Sequence, residues 1–270
     1  MLENSKRLVI DHPAQLMKIS TRRDFLRVLG IGGTVVMLPA LFTACNKDSS
    51  LTGVNAGGTT VTLNLGTDVG ILNYAYALEQ LEAAFYTAVV ASTPFGGATA
   101  EQREVLLDLR NHEVIHREFL KQALGSNAIG TLNLNASAVA STMTSMAVIL
   151  QNAEAFEDLG VAAYNGAGKY LTSADYLTVA GKIVSVEARH ASAIRDMRDA
   201  LGITGGDTIG TRFAGNSVVG ATTGLDVKLE PSAVAARVIA TGIVADSLSI
   251  GTQPTAKTGT PDAGPPSPTP

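Results

Sequence analysis

Two short motifs concentrate the reactive side chains of this sequence. Glu113-x-x-His116 and Glu187-x-x-His190 each place a carboxylate and an imidazole three residues apart. On a helix that spacing puts both side chains on one face, where they can grip one cation. Histidine is scarce, four in 270 residues, so chance is a poor explanation for two copies of one Glu-x-x-His spacing. Two further acids, Glu79 and Glu157, interrupt apolar stretches, and each is followed two helical turns later by a tyrosine, Tyr86 and Tyr164. A buried ionised carboxylate is costly unless it is paired or bound to metal. One such acid could belong to a solvated face; four, one per predicted helix, ask for a shared reason.

The neighbours of these residues have plainer readings. Glu82 and Glu154, each three residues from a candidate ligand, are read as groups behind the ligands or as solvated acids, with Glu82 also a competitor of Glu79. Tyr86 and Tyr164 are either core residues or hydroxyls that reach a ligand carboxylate. His112 precedes Glu113 and points about 100° away around a helix, which suits a surface histidine or a neighbour of the ligands better than a ligand. Arg117 and Arg189, each beside a candidate ligand, are read as facing solvent.

Helices must position this set. Between Pro94 and Pro231 there is no proline in an Ala-, Leu- and Val-rich stretch, which favours helix. Four segments follow from the 3/4 spacing of apolar residues. The first runs from about Asp68, taken as its N-cap, to Ser92. The second runs from about Thr99 to Leu124, stopping at Gly125. The third spans about Ser137 to Leu171, and the fourth starts near Ser173 and ends at Gly202. Each is about 25–35 residues, and residues 125–136 join two helix pairs with short internal connections, the layout of a four-helix bundle. A bundle whose first pair mirrors its second brings six ligands around two ions. Glu113 and Glu187 can bridge, Glu79 and His116 complete one ion, and Glu157 and His190 complete the other. Hard oxygen donors with one imidazole per ion suit two Fe ions, or Mn as the alternative, better than Cu or structural Zn.

The pattern resembles the ferritin-like superfamily, in which one Glu from each of two helices joins Glu-x-x-His from the other two. More narrowly, it is similar to bacterial ferritin-like proteins related to plant desiccation-related proteins. That narrower resemblance rests on Leu78-Glu79-Gln80-Leu81-Glu82-Ala83-Ala84-Phe85-Tyr86, on Glu113-x-x-His116, on Glu157-Asp158-Leu159-Gly160-Val161-Ala162-Ala163-Tyr164 and on Glu187-x-x-His190. It covers about residues 68–202 and implies an all-α ferritin-like bundle with a dinuclear, di-iron or di-manganese, centre. It does not imply a single reaction.

The ends of the chain read differently. Arg22-Arg23-Asp24-Phe25-Leu26 followed by a Gly-rich apolar stretch resembles a twin-arginine export signal, whose pathway carries folded proteins. Leu41-Phe42-Thr43-Ala44-Cys45 resembles a bacterial lipobox, with Cys45 the lipidated residue and membrane anchor. Residues 1–45 are therefore expected to be signal, 46–67 linker, 68–202 bundle, 203–252 a C-terminal appendage with one helix after Pro231, and 253–270 a Pro-rich disordered tail. Val61, Leu63 and Leu65 alternate within the linker and could form a short strand.

Composition narrows the functions. One cysteine excludes an intramolecular disulfide framework and a Cys-rich zinc site. A net charge of −4, which becomes −7 once residues 1–45 are set aside (14 basic against 21 acidic), offers no footprint for nucleic acid. The expected location is the cell envelope or periplasm. Two functions fit: a di-metal oxidoreductase of ferroxidase or manganese-catalase type acting on O2 or peroxide, or a non-catalytic envelope stress or desiccation-related scaffold whose site is structural or vestigial. Metal ions and O2 or peroxide are the expected partners, and a second copy of the chain, as a homodimer, is a candidate.

Overall fold

The computed structural model describes residues 60–203, 218–220 and 223–252. Arg22, Arg23 and Cys45, with the whole expected signal, lie outside the described residues, as do most of the expected linker, part of the appendage and the tail. Seven α-helices and two strands are described: β1 (Thr60–Leu63), α1 (Asp68–Val90), α2 (Thr93–Gly96), α3 (Ala100–Leu124), α4 (Ala136–Ser141), α5 (Met146–Gly168), α6 (Ala174–Ala200), α7 (Pro231–Ala240) and β2 (Ser247–Ile250). α1 packs chiefly on α3, and α5 on α6. Two long hairpins thus form the expected helical bundle. Among the described residues no helix is long and apolar enough to cross a membrane.

Side-chain caps set the ends of these helices. α3 begins in a capping box, with the Thr99 hydroxyl accepting from the Gln102 amide and the Gln102 side chain accepting from Thr99. The N-cap of α1 is Thr67, whose hydroxyl accepts from the Gly70 amide at 3.2 Å. Asp68, expected in that role, instead accepts from the amides of Thr172 and Ser173, both at 2.8 Å, and so ties the start of α1 to the turn between α5 and α6. The third predicted helix is two. The Thr142 hydroxyl donates to the Val139 carbonyl at 2.7 Å as α4 ends, and the Ser145 hydroxyl accepts from the Val148 amide to start α5. Short hydroxyl side chains compete with the helical ladder in this way, which apolar periodicity alone does not register.

α1 is buried on every side from Ile71 to Ala83. Its sequence there carries no charge except Glu79 and Glu82, as an all-round buried helix requires. Part of its cover is the crossover between the hairpins, held by two uncharged polar residues. Asn73 donates to the Asn127 carbonyl at 2.9 Å and accepts from the Ile129 amide at 2.8 Å. Gln80 accepts from the Leu132 amide at 2.9 Å. The crossover is in turn bonded to the C-terminal segment, where Asp246 accepts from the Asn133 amide and side chain. β2 pairs in parallel with β1, Thr60 opposite Ser247 and Leu63 opposite Ile250.

Two glycines allow backbone to cross the bundle helices closely. A Cβ on Gly70 would stand 1.5 Å from the Asn64 carbonyl oxygen, and one on Gly166 would stand 1.7 Å from that of Leu229. At the second crossing the Leu229 amide donates to the Ala162 carbonyl. The Tyr170 hydroxyl and the Lys169 ammonium both bond Glu230, which docks α7 on α5.

Two apolar groups fill the bundle. The larger includes Phe85, Val89, Leu106, Leu109, Leu150, Phe156 and Ile194. The smaller includes Leu72, Leu120, Leu124, Tyr164 and Ile183.

Candidate metal centre

Each of the four long helices delivers its acid to the middle of the bundle, where the side chains of Glu79, Glu113, Glu157 and Glu187 are all 0% exposed. Two sets of donor atoms result, Glu79, Glu113, His116 and Glu187 in one and Glu113, Glu157, Glu187 and His190 in the other, each set lying within 4.8 Å. The sets share Glu113 and Glu187. In the first, His116 Nδ1 is 2.9 Å from Glu187 Oε1, 3.4 Å from Glu79 Oε2 and 3.5 Å from Glu113 Oε2. In the second, His190 Nδ1 is 2.8 Å from Glu113 Oε1, 3.3 Å from Glu157 Oε2 and 3.4 Å from Glu187 Oε2. Each shared carboxylate therefore gives one oxygen to each set.

These short separations lack hydrogen-bond geometry. Both Nδ1 atoms, both oxygens of Glu113 and of Glu187, Oε2 of Glu79 and Oε2 of Glu157 are buried without a hydrogen-bond partner. Buried polar atoms are rarely left so, and here eight of them lie together. The chemistry of the set accounts for them. Four carboxylates and two neutral imidazoles around two divalent cations sum to zero charge, which removes the cost of burying the acids. The six residues fit a pair of metal ions.

Residues 67–200 match the family model for the ferritin-like domain. The bundle is a ferritin-like domain. No match to the chain is found among curated proteins.

The remaining oxygens of the outer acids of this ferritin-like domain are held reciprocally. Tyr86 on α1 donates to Glu157 Oε1 on α5 at 2.5 Å, and Tyr164 on α5 donates to Glu79 Oε1 on α1 at 2.5 Å. Burial, and next the adjacent carboxylate, push both phenols well above their ordinary range, so they stay protonated donors. Each tyrosine shares a helix face with the acid two turns before it, yet bonds the acid of the other hairpin.

The buried groups of the cluster shift one another's proton affinities. Burial pushes the Glu113 carboxyl well above the usual carboxylate range, and neighbouring Glu187 adds to it. Burial likewise raises Glu157 to about 7 against the pull of His190. Burial acts on Glu187 in the same sense, but the two imidazoles outweigh it and draw the group down to about 2. For His190, burial opposes the charge and Glu157, Glu113 and Glu187 overcome it, raising the ring to about 12; His116 is raised in the same way. A cation taking these atoms must displace protons, so uptake is favoured by rising pH.

Five further residues complete the picture. His112, immediately before Glu113 on α3, meets His190 with Nδ1 2.9 Å from Nε2. Glu82 is buried beside the cluster but belongs to neither donor set. Burial foremost, then Glu113 and Glu187, push its carboxyl well above the ordinary range. Room for it comes from α5, where a Cβ on Gly160 would stand 3.0 Å from Glu82 Oε1. Glu154 does not back the ligands: it pairs with Arg198 and lies 4.0 Å from Arg195, which itself pairs with Asp158. Arg195 and Arg198, three residues apart on α6, and Glu154 and Asp158, four apart on α5, were the signal for that α5–α6 ion cluster. Arg117 pairs with Glu118 and Arg189 bonds Ser185 along their own helices.

Proposed function

We propose that this chain is an exported, lipid-anchored ferritin-like protein whose bundle holds a dinuclear carboxylate centre of two iron or two manganese ions, used for iron oxidation or O2 and peroxide handling in stress protection. The observation that carries the reading is the pair of overlapping donor sets, with Glu113 and Glu187 common to both and their oxygens otherwise unpartnered. Three carboxylate oxygens and one imidazole nitrogen per position leave coordination room on a six-coordinate ion and suit Fe or Mn. When bound, such a pair supplies two-electron redox chemistry toward O2 or peroxide.

The chain's own residues set the conditions for that chemistry. Glu113 and Glu187 fix the spacing of the two positions. Tyr86 and Tyr164 hold Glu157 and Glu79 in place by donating to their outer oxygens. Burial inside the bundle keeps bulk water from the four acids, all 0% exposed. His116 and His190 release a proton each on uptake and regain one on loss.

The export reading rests on Arg22-Arg23 and on the Leu41–Cys45 lipobox pattern. Folded export gives it a purpose, since metal can be loaded where its supply is controlled before the protein reaches the envelope. Replacing Arg22 and Arg23 by lysine is expected to leave a folded, metal-loaded precursor inside the cell. The relation to desiccation-related proteins rests on the motifs around Glu79 and Glu157.

One observation favours a second reading, a non-catalytic envelope scaffold. His190 and His116 approach Glu113 and Glu187 to 2.8 and 2.9 Å, so protonated imidazoles could neutralise the core unaided. Anaerobic reconstitution with Fe(II) or Mn(II), followed by O2 or peroxide consumption, separates the two. Turnover tied to bound metal is expected. Failure to retain either metal, with Glu113→Ala leaving stability unchanged, would leave only the scaffold.

A further inference from the structure

The two donor sets are built alike, but their histidines are supported differently. His190 turns Nδ1 toward Glu113, Glu157 and Glu187 and Nε2 toward His112. The His112 and His190 ring planes are 7° from parallel with centroids 5.1 Å apart. Because the facing nitrogens are only 2.9 Å apart, the rings meet edge to edge, nitrogen to nitrogen, instead of overlapping face to face. That is the geometry of an N–H···N bond in the plane of both rings.

His116 has no counterpart to this bond. Its Nδ1 faces Glu79, Glu113 and Glu187, and among the described residues no hydrogen bond reaches its Nε2. The residue of α6 at the place His112 holds in α3, immediately before the shared glutamate, is Val186, which has no acceptor. The His116 side chain is 12% exposed and that of His190 is 4%.

Resting on the metal reading above, we propose that His112 is a positioning residue that locks His190 and makes the two metal positions inequivalent, the Glu157/His190 position tight and the Glu79/His116 position exchangeable. The tautomers are consistent. A His190 ring that gives its Nδ1 lone pair to a cation carries its hydrogen on Nε2, and that hydrogen is donated to His112 Nδ1. The bond fixes ring orientation and tautomer, and it makes Nδ1 a stronger donor; loss of such a partner typically lowers metal affinity about 10–100-fold. α3 thus supplies both a shared carboxylate, Glu113, and the prop for a histidine on α6.

The test is a Co(II) titration of the full chain followed by its visible spectrum. Two separated binding phases are expected. His112→Val, which copies Val186, should weaken the tighter phase about 10–100-fold and leave the weaker one unchanged. His112→Asn should restore it, because the amide oxygen takes the place of Nδ1. A second measurement is the NMR spectrum of the Co(II) form, which should show one shifted imidazole N–H protected from exchange, absent in His112→Val and regained in His112→Asn. A merely structural role would not move that resonance or be rescued by asparagine. Two equivalent phases in the wild-type chain, or phases unmoved by His112→Val, would overturn this proposal alone. No Co(II), Fe(II) or Mn(II) uptake would overturn the metal reading and this proposal with it.

Discussion

The α1–α3 hairpin and the α5–α6 hairpin solve one problem twice. Each supplies a buried glutamate, a tyrosine two turns further on that bonds the other hairpin's glutamate, and a Glu-x-x-His pair. They part at two places. Where α1 carries Glu82, α5 carries Gly160, and the missing Cβ makes space for the carboxyl. Where α3 carries His112, α6 carries Val186, so one ligand histidine is propped and the other is not. The repeated positions are those that make up the two overlapping donor sets and their tyrosine partners. The unrepeated ones lie around that set and make its halves unlike.

The comparison can be broken most severely at the residues common to both halves. Glu113→Ala or Glu187→Ala is expected to abolish binding of both ions, whereas Glu79→Ala or Glu157→Ala should leave one, as read by equilibrium dialysis and metal analysis. Next come the crossings that clamp each hairpin from outside. Gly166→Ala and Gly70→Ala force a Cβ into backbone carbonyls, at 1.7 and 1.5 Å. Each should cost about 3 kcal/mol or more in chemical denaturation, with metal stoichiometry intact in the protein that folds.

A smaller effect is expected from removing one hydroxyl from each half. Tyr86→Phe and Tyr164→Phe each strand a buried carboxylate oxygen and should cost about 1–3 kcal/mol, by similar amounts if the halves are alike in this respect. The mildest change is Gly160→Ala. It presses only on the far end of the Glu82 side chain and should cost under about 1.5 kcal/mol. Pairing it with Glu82→Ala should remove that cost, a coupling that a double-mutant cycle measures.

Much of this arrangement is written in local spacing. Glu-x-x-His on two helices, an acid mid-way along two apolar helices and the lack of proline from residue 95 to residue 230 were enough to predict the all-α bundle. They also singled out the six residues that the fold brings together. What escaped depends on contacts between elements. The partner of His112 follows from how α3 lies on α6, not from its own neighbours. Glu154 faces arginines on α6 that no single-helix pattern relates to it. Asn73 and Gln80 carried a faint signal, as uncharged polar residues on a helix whose buried stretch is otherwise apolar apart from Glu79 and Glu82, but only the path of the crossover gives them their partners. The break between α4 and α5 was hidden because Thr142 and Ser145 sit in a window whose average still favours helix.

The central claim is that two ions share Glu113 and Glu187. Anaerobic reconstitution of the full chain with Fe(II), metal analysis, and EPR of the partly oxidised protein test it directly. Two irons per chain with a spin-coupled mixed-valence signal are expected. One iron or none, or two irons without magnetic coupling, would contradict it.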